Sequence, residues 1–592
     1  MTSRPPYRGP SRRLVLAFDV GTTFSGVSYS ILDPGHVPEI KGVTRFPYQD
    51  STGGDFKVPS IIWYDANGEV RAIGAGAVRD GIEQDAEDEQ WTKVEWFKLS
   101  LRPKTLNTDE VSRFIEQIPP LPAGKTLVDV FADYYRFLYE SSRAYIEDNY
   151  STGRSIWASV QSDIIFVLSH PNGWEGPEQS RLRRAAVLAG LVPDTDEGRD
   201  RIHFVTEGEA SLHFCINQGL MTERIKTESN ILVVDAGGGT IDTSTYRQRK
   251  DKPGSFYELA IPNCKLRGSI FVTQYARKYL EEQLCDSSFM SVVPDIVKCF
   301  DKTTKLHFRQ IKDPAFIKFG TSRDNEPAHN IRSGQLKLQG ETVATFFQSS
   351  VDSITDVILQ HHWDHGNTAV FLVGGFSASD WLFKTVESTA LKVNIEVSRP
   401  SSQSNKAVAD GAASFYVDHF VSRRISRFSY GVSCHTEYDP QKADHLARRD
   451  QKYIALDGKE RISGAFATIL PKGSIVNEEK GFYSPFRQLG KNKVELRRIA
   501  SKIYRYQGSW NRLNWKDQDP DNLEVMCIVE ADTSVASAAL LPLQRKMDGQ
   551  TYYELDYKLV LQFGLTEFKA QLCWDENGVE KRSPARAIYE TD

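Results

Sequence analysis

The stretch Val233-Val-Asp235-Ala-Gly237-Gly238-Gly239-Thr240-Ile-Asp242 decides the fold of this chain. A short apolar run ends there in an aspartate, and a glycine-rich turn with a threonine follows. Continuous apolar runs of this length, ended by glycine turns, are typical of central strands in a sheet covered on both faces. The same order of residues occurs near the N-terminus, in Leu16-Ala-Phe-Asp19-Val-Gly21-Thr22-Thr23. The chain therefore contains the strand, the aspartate and the glycine turn twice.

We name these segments the first turn (residues 19–23) and the second turn (residues 235–242). Glycine lets the backbone approach a phosphate and point N–H groups at it, and threonine hydroxyls can donate further hydrogen bonds. The aspartates would repel a phosphate unless a hydrated Mg²⁺ lies between them. One copy alone could be a plain glycine turn after a buried strand, but two copies facing each other would clamp a polyphosphate.

A third turn, Gly374–Ser377, follows the apolar run Val370–Val373 and leads into a helix predicted near residues 378–382. A Gly-Gly turn after a strand is common and weak evidence by itself. Together with the other two turns, it is the place where a nucleoside would rest against the backbone.

Composition sets the wider class. The chain has 592 residues, with 73 Lys+Arg against 78 Asp+Glu, and is 40% hydrophobic. These values exclude wholesale disorder, and a net charge of -5 argues against a dedicated nucleic-acid binder. The scattered cysteines predict thiols in a reducing compartment. No targeting signal and no membrane span is visible, so we expect a cytoplasmic protein with access to the nucleus.

Strand and helix patterns alternate up to about residue 424, which predicts an α/β fold with mainly parallel central strands. The helices are predicted at Leu127–Glu147, Pro177–Leu191 and Thr342–His361, and a further strand at Ile164–Leu168. Beyond residue 424, apolar residues alternate with polar ones, for example from Tyr557 to Phe563. That period of two predicts a β-rich C-terminal part.

The three turns, in this order, resemble the phosphate-one, phosphate-two and adenosine motifs of the actin-like ATPase superfamily. Within it, the first and second turns are most similar to the heat-shock 70-kDa (DnaK-like) family. Other similar segments are Lys57–Ser60, Trp96–Leu99, Val167–Pro171, Phe204–Ala210 and Asp410–Ala413. The chain as a whole resembles the divergent twelve-A-like branch, which lacks the standard substrate domain.

The resemblance implies an actin-like ATPase fold of two lobes, each with a ribonuclease-H-like core, plus a β-rich C-terminal domain. The implied domains are a flexible tail at 1–13, a nucleotide-binding domain at 14–424 and the C-terminal domain at 425–592. Lobe I would cover about 14–228 and 399–424, and lobe II about 229–398.

The resemblance also implies the site. Asp19 and Asp235 would hold Mg²⁺ through water and, with Lys98 and Glu207, would form the catalytic group. The residues implied to bind ATP or ADP are Gly21, Thr22, Thr23, Gly237, Gly238, Gly239, Thr240, Asp242, Gly268, Lys305, Gly374, Gly375 and Phe376.

Some of these residues have simpler interpretations. Lys98 could be a surface lysine that buries only its stem, Glu207 an acid favoured at a helix N-terminus, and Lys305 a solvated helix lysine. Several positions depart from the family pattern, among them Gly208, Arg267 and Ala378. Gly208 stands where the family has proline, which predicts a looser backbone, and Ala378 stands where the family has the arginine that stacks on the base.

The function expected first is an ATP-binding, slowly hydrolysing, Mg²⁺-dependent switch of the heat-shock type, acting with a protein client or co-chaperone. A small-molecule phosphotransferase on the same fold is an alternative, and a non-catalytic nucleotide-sensing scaffold is another. The C-terminal residues Tyr589–Asp592 do not match the tail that docks co-chaperones in standard members. The sequence leaves the oligomeric state open.

Overall fold

The structure is a computed structural model of the chain. It describes residues 4–49, 56–103, 112, 114–116, 118–174, 176–220, 230–252, 254–366, 368–400, 404–477, 481–510, 512–564 and 567–583. The C-terminal tail at 589–592, named above, lies outside these residues.

The first sheet contains the strand that ends at the first turn. Its strands lie in the order Lys41–Gly42, Phe24–Leu32, Arg13–Asp19, Ile165–His170 and Ile202–Thr206, and Val58–Pro59 also pairs with Phe24–Leu32. Arg13–Asp19 forms an antiparallel hairpin with Phe24–Leu32 and is parallel to Ile165–His170 on its other side. The Arg13–Asp19 strand is buried at six successive positions, as its unbroken apolar run predicts.

The second sheet repeats this pattern around the second turn. Asn230–Ala236 forms an antiparallel hairpin with Ile241–Gln248 and is parallel to Thr368–Val373, which is parallel to Glu396–Ser398. The short strands Phe256–Glu258 and Asn263–Lys265 pair with Ile241–Gln248. In both sheets, therefore, a hairpin tip carries the glycine turn and parallel strands extend beyond the hairpin.

Helices lie between these strands. Thr126 caps the helix Leu127–Asn149 through a capping box with Asp129, which fixes the residue where this helix begins. The α-helices up to residue 418 are Ile82–Asp88, Phe97–Ser100, Leu127–Asn149, Gly153–Val160, Pro177–Leu188, Asp196–Arg199, Glu207–Asn217, Ser269–Gln283, Val293–Cys299, Lys305–His307, Gly340–His365, Asp380–Leu391 and Ala407–Asp418. Small sheets are formed by Val70–Ile73, Ile61–Tyr64 and Thr92–Glu95, and by Ala315–Lys318, Gln335–Leu338 and Ile331–Arg332.

The C-terminal part is β-rich, as the period of two predicts. One sheet has the order Lys452–Ile454, Glu460–Leu470, Ser429–Glu437, Arg498–Tyr506 and Leu523–Asp532. Another has the order Phe482–Gly490, Thr551–Gly564, Glu567–Glu576 and Val579–Arg582, and Leu543–Gln544 pairs with Thr551–Gly564. Val421–Ile425 pairs with Ile475–Asn477, and the short helices are Ala443–Leu446 and Ser534–Ala539.

The chain divides into two compact units. The first comprises residues 1–174 and 181–421, and the second comprises 175–180 and 422–592. The first unit has one apolar core beneath the first sheet and others around the second sheet, and the second unit has its own core of residues such as Leu559, Leu561 and Ile503. Among the described residues, no helix is both long and apolar enough to cross a membrane.

The segment predicted as a flexible tail makes contacts where the structure describes it. Arg4 forms a two-bond ion pair with Asp418, whose side chain is 5% exposed. The backbone of Tyr7 exchanges hydrogen bonds with Gly35 and His36. Residues 4–7 are thus fastened to the first unit, because a two-bond guanidinium–carboxylate pair fixes both position and orientation.

Candidate functional site

The first and second turns touch each other. A Cβ atom on Gly238 would lie 2.4 Å from Thr23 Oγ1, and one on Gly239 would lie 2.5 Å from Thr22 Oγ1. Real Cβ atoms do not approach that closely, so a side chain at either position would force the facing threonine to move. The fold thereby brings together two segments that are separated by more than half of the first unit.

The second turn keeps its N–H groups available. The carbonyl groups of Gly237, Gly238 and Gly239 accept hydrogen bonds from the first N–H groups of the helix Ser269–Gln283 and from Gly268. Within the described part of the chain, the N–H groups of Gly238, Gly239 and Thr240 have no acceptor. Carbonyls turned towards a helix and N–H groups turned away from it form an anion-binding concavity.

Asp19 ends its strand with both carboxylate oxygens engaged. Lys57 Nζ lies 2.7 Å from Oδ2, and Ser169 Oγ donates to Oδ1 at 3.2 Å. The Asp19 side chain is 4% exposed. A buried carboxylate needs such donors or a cation, and here the chain itself supplies them.

Asp235 ends the corresponding strand of the second sheet. Ser211 Oγ donates to its Oδ2 at 2.7 Å, while Oδ1 accepts no hydrogen bond from the described residues. Burial, reinforced by the negative charge of Glu207, raises the pKa of Asp235 to about 7, although the Ser211 bond acts in the opposite direction. Among the described residues, Asp235 therefore has no direct ion-pair partner, and the nearest compensating charge is that of Lys57.

Asp242 lies directly opposite Asp235 in the hairpin of the second sheet. The backbone N–H of Asn172, from the end of the first sheet, donates to Asp242 Oδ1 at 2.6 Å. Burial and Glu207 raise the pKa of Asp242 well above its usual range, and the Asn172 bond lowers it. The side-chain amide of Asn172 also donates to Thr243 O and Ser244 Oγ, both at 3.1 Å, so Asn172 joins the two sheets.

Lys98 and Glu207 form a buried ion pair at the same site. Lys98 is 5% exposed and Glu207 is 7% exposed. Burial alone would lower the pKa of Lys98, but Glu207 and Asp19 outweigh it and the pKa is raised. Burial raises the pKa of Glu207, against the effect of Lys98. The alternative of Lys98 as a surface lysine is therefore wrong.

The backbone before Lys98 is strained. Trp96, which precedes the helix Phe97–Ser100, has φ +56°, a left-handed value that bulky residues rarely adopt. Glu207 is the first residue of the helix Glu207–Asn217, which Thr206 caps through its hydroxyl. Glu207 is thus both a helix N-terminal acid, as the simpler interpretation predicts, and the partner of Lys98.

Gly208 differs from its sequence prediction. It is buried in the helix Glu207–Asn217 and not in a loose segment. A Cβ atom there would lie 2.2 Å from Ser244 Oγ and 3.1 Å from Asn172 Nδ2. The expectation of a looser backbone is wrong because glycine serves close packing of this helix against the second sheet.

The third turn lies against Asp235, the residue where the second turn begins. Gly374 has φ +86°, and a Cβ atom on it would lie 2.3 Å from Asp235 Oδ1. Gly375 borders open space, with nothing within 4 Å of such an atom. Phe376 points into the core and stacks on Phe347, so only its backbone remains for a ligand. The helix expected at 378–382 begins at Asp380, after a 3₁₀ turn at Gly375–Ala378.

Lys305 and Gly268 both lie at the start of the helix Ser269–Gln283, because Gly268 precedes that helix and Lys305 donates to the carbonyl of Ser269. Lys305 is buried and forms an ion pair with Asp301, and its ammonium also donates to Thr273 Oγ1 at 3.2 Å. The alternative of a solvated lysine is therefore wrong, and a ribose contact stays a prediction. Gly268 packs on the second turn, since a Cβ atom there would lie 2.4 Å from Gly238 O.

Sequence reasoning missed several residues of the site. Lys57, Ser169 and Asn172 lie in or beside segments that were noted for their similarity, but none was expected to act. Arg399 was missed too: it donates to Ser377 O at 3.1 Å and to Asp380 Oδ1 at 2.8 Å. A guanidinium is therefore present at the third turn, although Ala378 supplies none.

The acids do not form a direct metal-binding cluster. Among the residues that the structure describes, no three His, Cys, Asp or Glu side chains are placed to hold a metal ion. The negative charges of Asp19 and Glu207 are nevertheless close enough to raise the pKa of Asp235. Such an arrangement fits a hydrated cation better than a stripped one.

The comparisons with known proteins agree with the motifs. No protein-family model matches the sequence. Among curated proteins, "Heat shock 70 kDa protein 12A" of Mus musculus is 23% identical over 516 residues, which is 72% of each chain. "Heat shock 70 kDa protein 12B" of Homo sapiens is 23% identical over 580 residues, 82% of this chain and 80% of that protein. The chain is therefore similar to heat shock 70 kDa proteins 12A and 12B over most of its length, and the resemblance predicted from its three turns is confirmed.

Proposed function

We propose that this protein is an ATP- and ADP-binding, slowly hydrolysing molecular switch of the heat-shock type. The observation that supports it best is the contact between two glycine–threonine turns, one of which presents N–H groups without an acceptor. Backbone N–H groups of this kind bind phosphate oxygens. Two such turns at one place suit a polyphosphate better than a single phosphate.

The proposed fold is the actin-like ATPase fold, with the nucleotide-binding domain at residues 14–424. Its support is the repeated pattern of a hairpin flanked by parallel strands in the first and second sheets. Lobe I would be built on the first sheet and lobe II on the second. Asn172 and Gly208 lie where these lobes meet, which is where a closing motion would act.

Mg²⁺ fits the charge of the site. Among the described residues, the carboxylates of this site pair only with the ammonium groups of Lys57 and Lys98. With Asp19, Glu207, Asp235 and Asp242 all ionised, two negative charges would be uncompensated, and the raised pKa values of Asp235 and Asp242 reflect this shortage of cations. We propose that Asp19 and Asp235 hold the ion through water. When bound, Mg²⁺ would neutralise phosphate charge during transfer.

The chain's own residues have separate roles in this proposal. The N–H groups of the second turn and the hydroxyls of Thr22 and Thr23 bind phosphate oxygens. Glu207 holds the ammonium of Lys98 in place, and Lys98 stabilises the charge that develops on the transferred phosphoryl group. The open space above Gly375 receives the nucleoside.

The C-terminal domain would report the nucleotide state to a protein client or co-chaperone. Its support is that the described residues of 422–583 form sheets with an apolar core of their own. We propose that the protein acts in the cytoplasm. Its relatives carry the heat shock 70 kDa name.

ATP binding and turnover test the proposal directly. We expect ATP or ADP with Mg²⁺ to raise the melting temperature of the full chain, and phosphate to be released slowly without any added acceptor. Phosphate transfer that depends on a sugar or another small acceptor would favour the phosphotransferase alternative. The absence of any nucleotide-dependent shift would refute the proposal.

Lys98→Met separates hydrolysis from binding. We expect turnover to fall about 10²-fold or more, as on removal of a preorganised charge donor, while nucleotide still raises the melting temperature. Lys278→Met is the matched control, because Lys278 is 77% exposed on the helix Ser269–Gln283. Unchanged turnover in Lys98→Met would remove Lys98 from the mechanism.

A second candidate, the non-catalytic nucleotide-sensing scaffold, has one observation in its favour. Both oxygens of Asp19 already have donors in Lys57 and Ser169, so this carboxylate has less capacity for metal-bound water. In this case nucleotide raises the melting temperature, but phosphate release stays at the uncatalysed rate in the wild type and in Lys98→Met alike.

A further inference from the structure

Lys57 is held on Asp19 by the fold around it. It lies directly before the strand Val58–Pro59, which pairs with Phe24 and Ser25, the residues that follow the first turn. Gln49 Nε2 donates to the carbonyl of Lys57 at 3.0 Å. The lysine stem runs over Gly26, where an added Cβ atom would already lie 3.4 Å from Lys57 Cγ. The ammonium is therefore placed by its backbone and by its stem.

The ammonium group of Lys57 lies where the first turn begins. It lies 2.7 Å from the carboxylate oxygen of Asp19, at the end of the strand from which the first turn begins. Its side chain is 15% exposed, so it is not sealed in the core. Lys98 is committed to Glu207, which leaves Lys57 as the described lysine on the Asp19 side of the acid cluster.

Two consequences follow for an anion that enters the site. A lysine ammonium is a compact charge with three donors, so it can keep Asp19 and bind a phosphate oxygen as well. It also supplies one of the positive charges that a phosphate chain needs beside carboxylates. A divalent ion is then less necessary for binding than it would be in a site where Asp19 had no partner.

We propose that Lys57 is the resident cation of the nucleotide site, neutralising Asp19 while no nucleotide is bound and binding a phosphate oxygen of a nucleoside di- or triphosphate when one enters. Binding of the nucleotide therefore depends only weakly on Mg²⁺. This inference rests on the proposed function, since it assigns a phosphate contact to the same site.

The test measures ADP binding to the full chain by calorimetry, once in excess Mg²⁺ and once in excess EDTA. The quantity compared is the ratio of the two dissociation constants. We expect this ratio to stay below about tenfold in the wild type and to rise about tenfold or more in Lys57→Met, where tenfold corresponds to about 1.4 kcal/mol. Lys57→Arg keeps the charge and should restore most of the wild-type ratio.

Lys41→Met is the matched control, because Lys41 is a half-exposed lysine of the same sheet that pairs with Glu39. Its ratio should equal that of the wild type. A wild type that loses ADP entirely in EDTA overturns the inference, whether or not the Lys57 variants fold. An unchanged ratio in Lys57→Met also overturns it, while ADP binding itself stands. A wild type that binds no ADP under either condition overturns the proposed function together with this inference.

Discussion

Gly374→Ala tests whether the third turn is held against Asp235 as the structure shows. Gly374 has φ +86° and ψ 165°, a backbone region that is essentially restricted to glycine. Its neighbour Gly375 has no such constraint, and nothing lies within 4 Å of a Cβ atom added to it. The two adjacent glycines therefore form a matched pair.

The magnitude has two parts. Forcing alanine into this backbone region costs about 1–3 kcal/mol. The methyl group would also lie 2.3 Å from Asp235 Oδ1 and 2.4 Å from Ala236 O, and such overpacking costs about 1–3 kcal/mol more. In a unit of about 400 residues, with an unfolding entropy of about 2.1 cal/mol/K per residue, a summed loss of about 2–6 kcal/mol lowers the melting temperature by about 2–7 °C.

Differential scanning calorimetry of the full chain measures this shift. Gly375→Ala should leave the melting temperature nearly unchanged, because a methyl group at an open position alters stability by no more than about 0.5 kcal/mol. Gly375→Ala should instead reduce the rise in melting temperature that ADP causes, because the nucleoside is proposed to lie above Gly375. Equal melting temperatures for the two variants would refute the placement of Gly374.

Three further changes test the contacts between the two sheets and the protonation of the site. Asn172→Ala removes a fully buried amide and leaves its partners unpaired, so we expect a loss of about 1–3 kcal/mol in urea unfolding. Gly208→Ala should destabilise the chain more than the double change of Gly208→Ala with Ser244→Ala. In the double variant the hydroxyl at 2.2 Å is removed, and the atom nearest to the new methyl group is the Cβ of residue 244 at 3.0 Å. Equal unfolding midpoints for the two variants would contradict this packing. Burial lowers the pKa of His170 to about 4 against an ordinary value of 6.5, so the unfolded chain binds a proton that the folded chain excludes. The free energy of unfolding of the wild type should therefore fall, relative to that of His170→Phe, by up to about 1.4 kcal/mol per pH unit as the pH drops from 6.5 to 4. Parallel pH profiles of the two proteins would contradict this prediction.

Local patterns were enough to predict the elements that carry the site. The apolar runs before Asp19 and Asp235 are strands, and each ends within one residue of its aspartate. The helix predicted at Leu127–Glu147 begins at the predicted residue because Thr126 and Asp129 form a capping box. Such features depend on neighbours in sequence, so the sequence alone contains them.

The missed contacts depend on the fold. Lys57 meets Asp19 across 38 positions, and Asn172 meets Asp242 across 70. Neither partner has a local signature, since a lysine before Val-Pro and an asparagine after His-Pro fit many surface loops. Gly208 was misread for the same reason, because the atoms that require glycine there belong to a strand of another sheet.

The register of the second hairpin has a consequence for folding order. Asp235 pairs directly with Asp242, whereas the equivalent position opposite Asp19 is Gly26. Like charges directly across an antiparallel pair are destabilising, so the second hairpin closes against its own repulsion. The N–H group that relieves Asp242 comes from Asn172, at the end of the first sheet. We therefore expect the N-terminal half to fold first and to act as an internal template, on which the second hairpin is completed late.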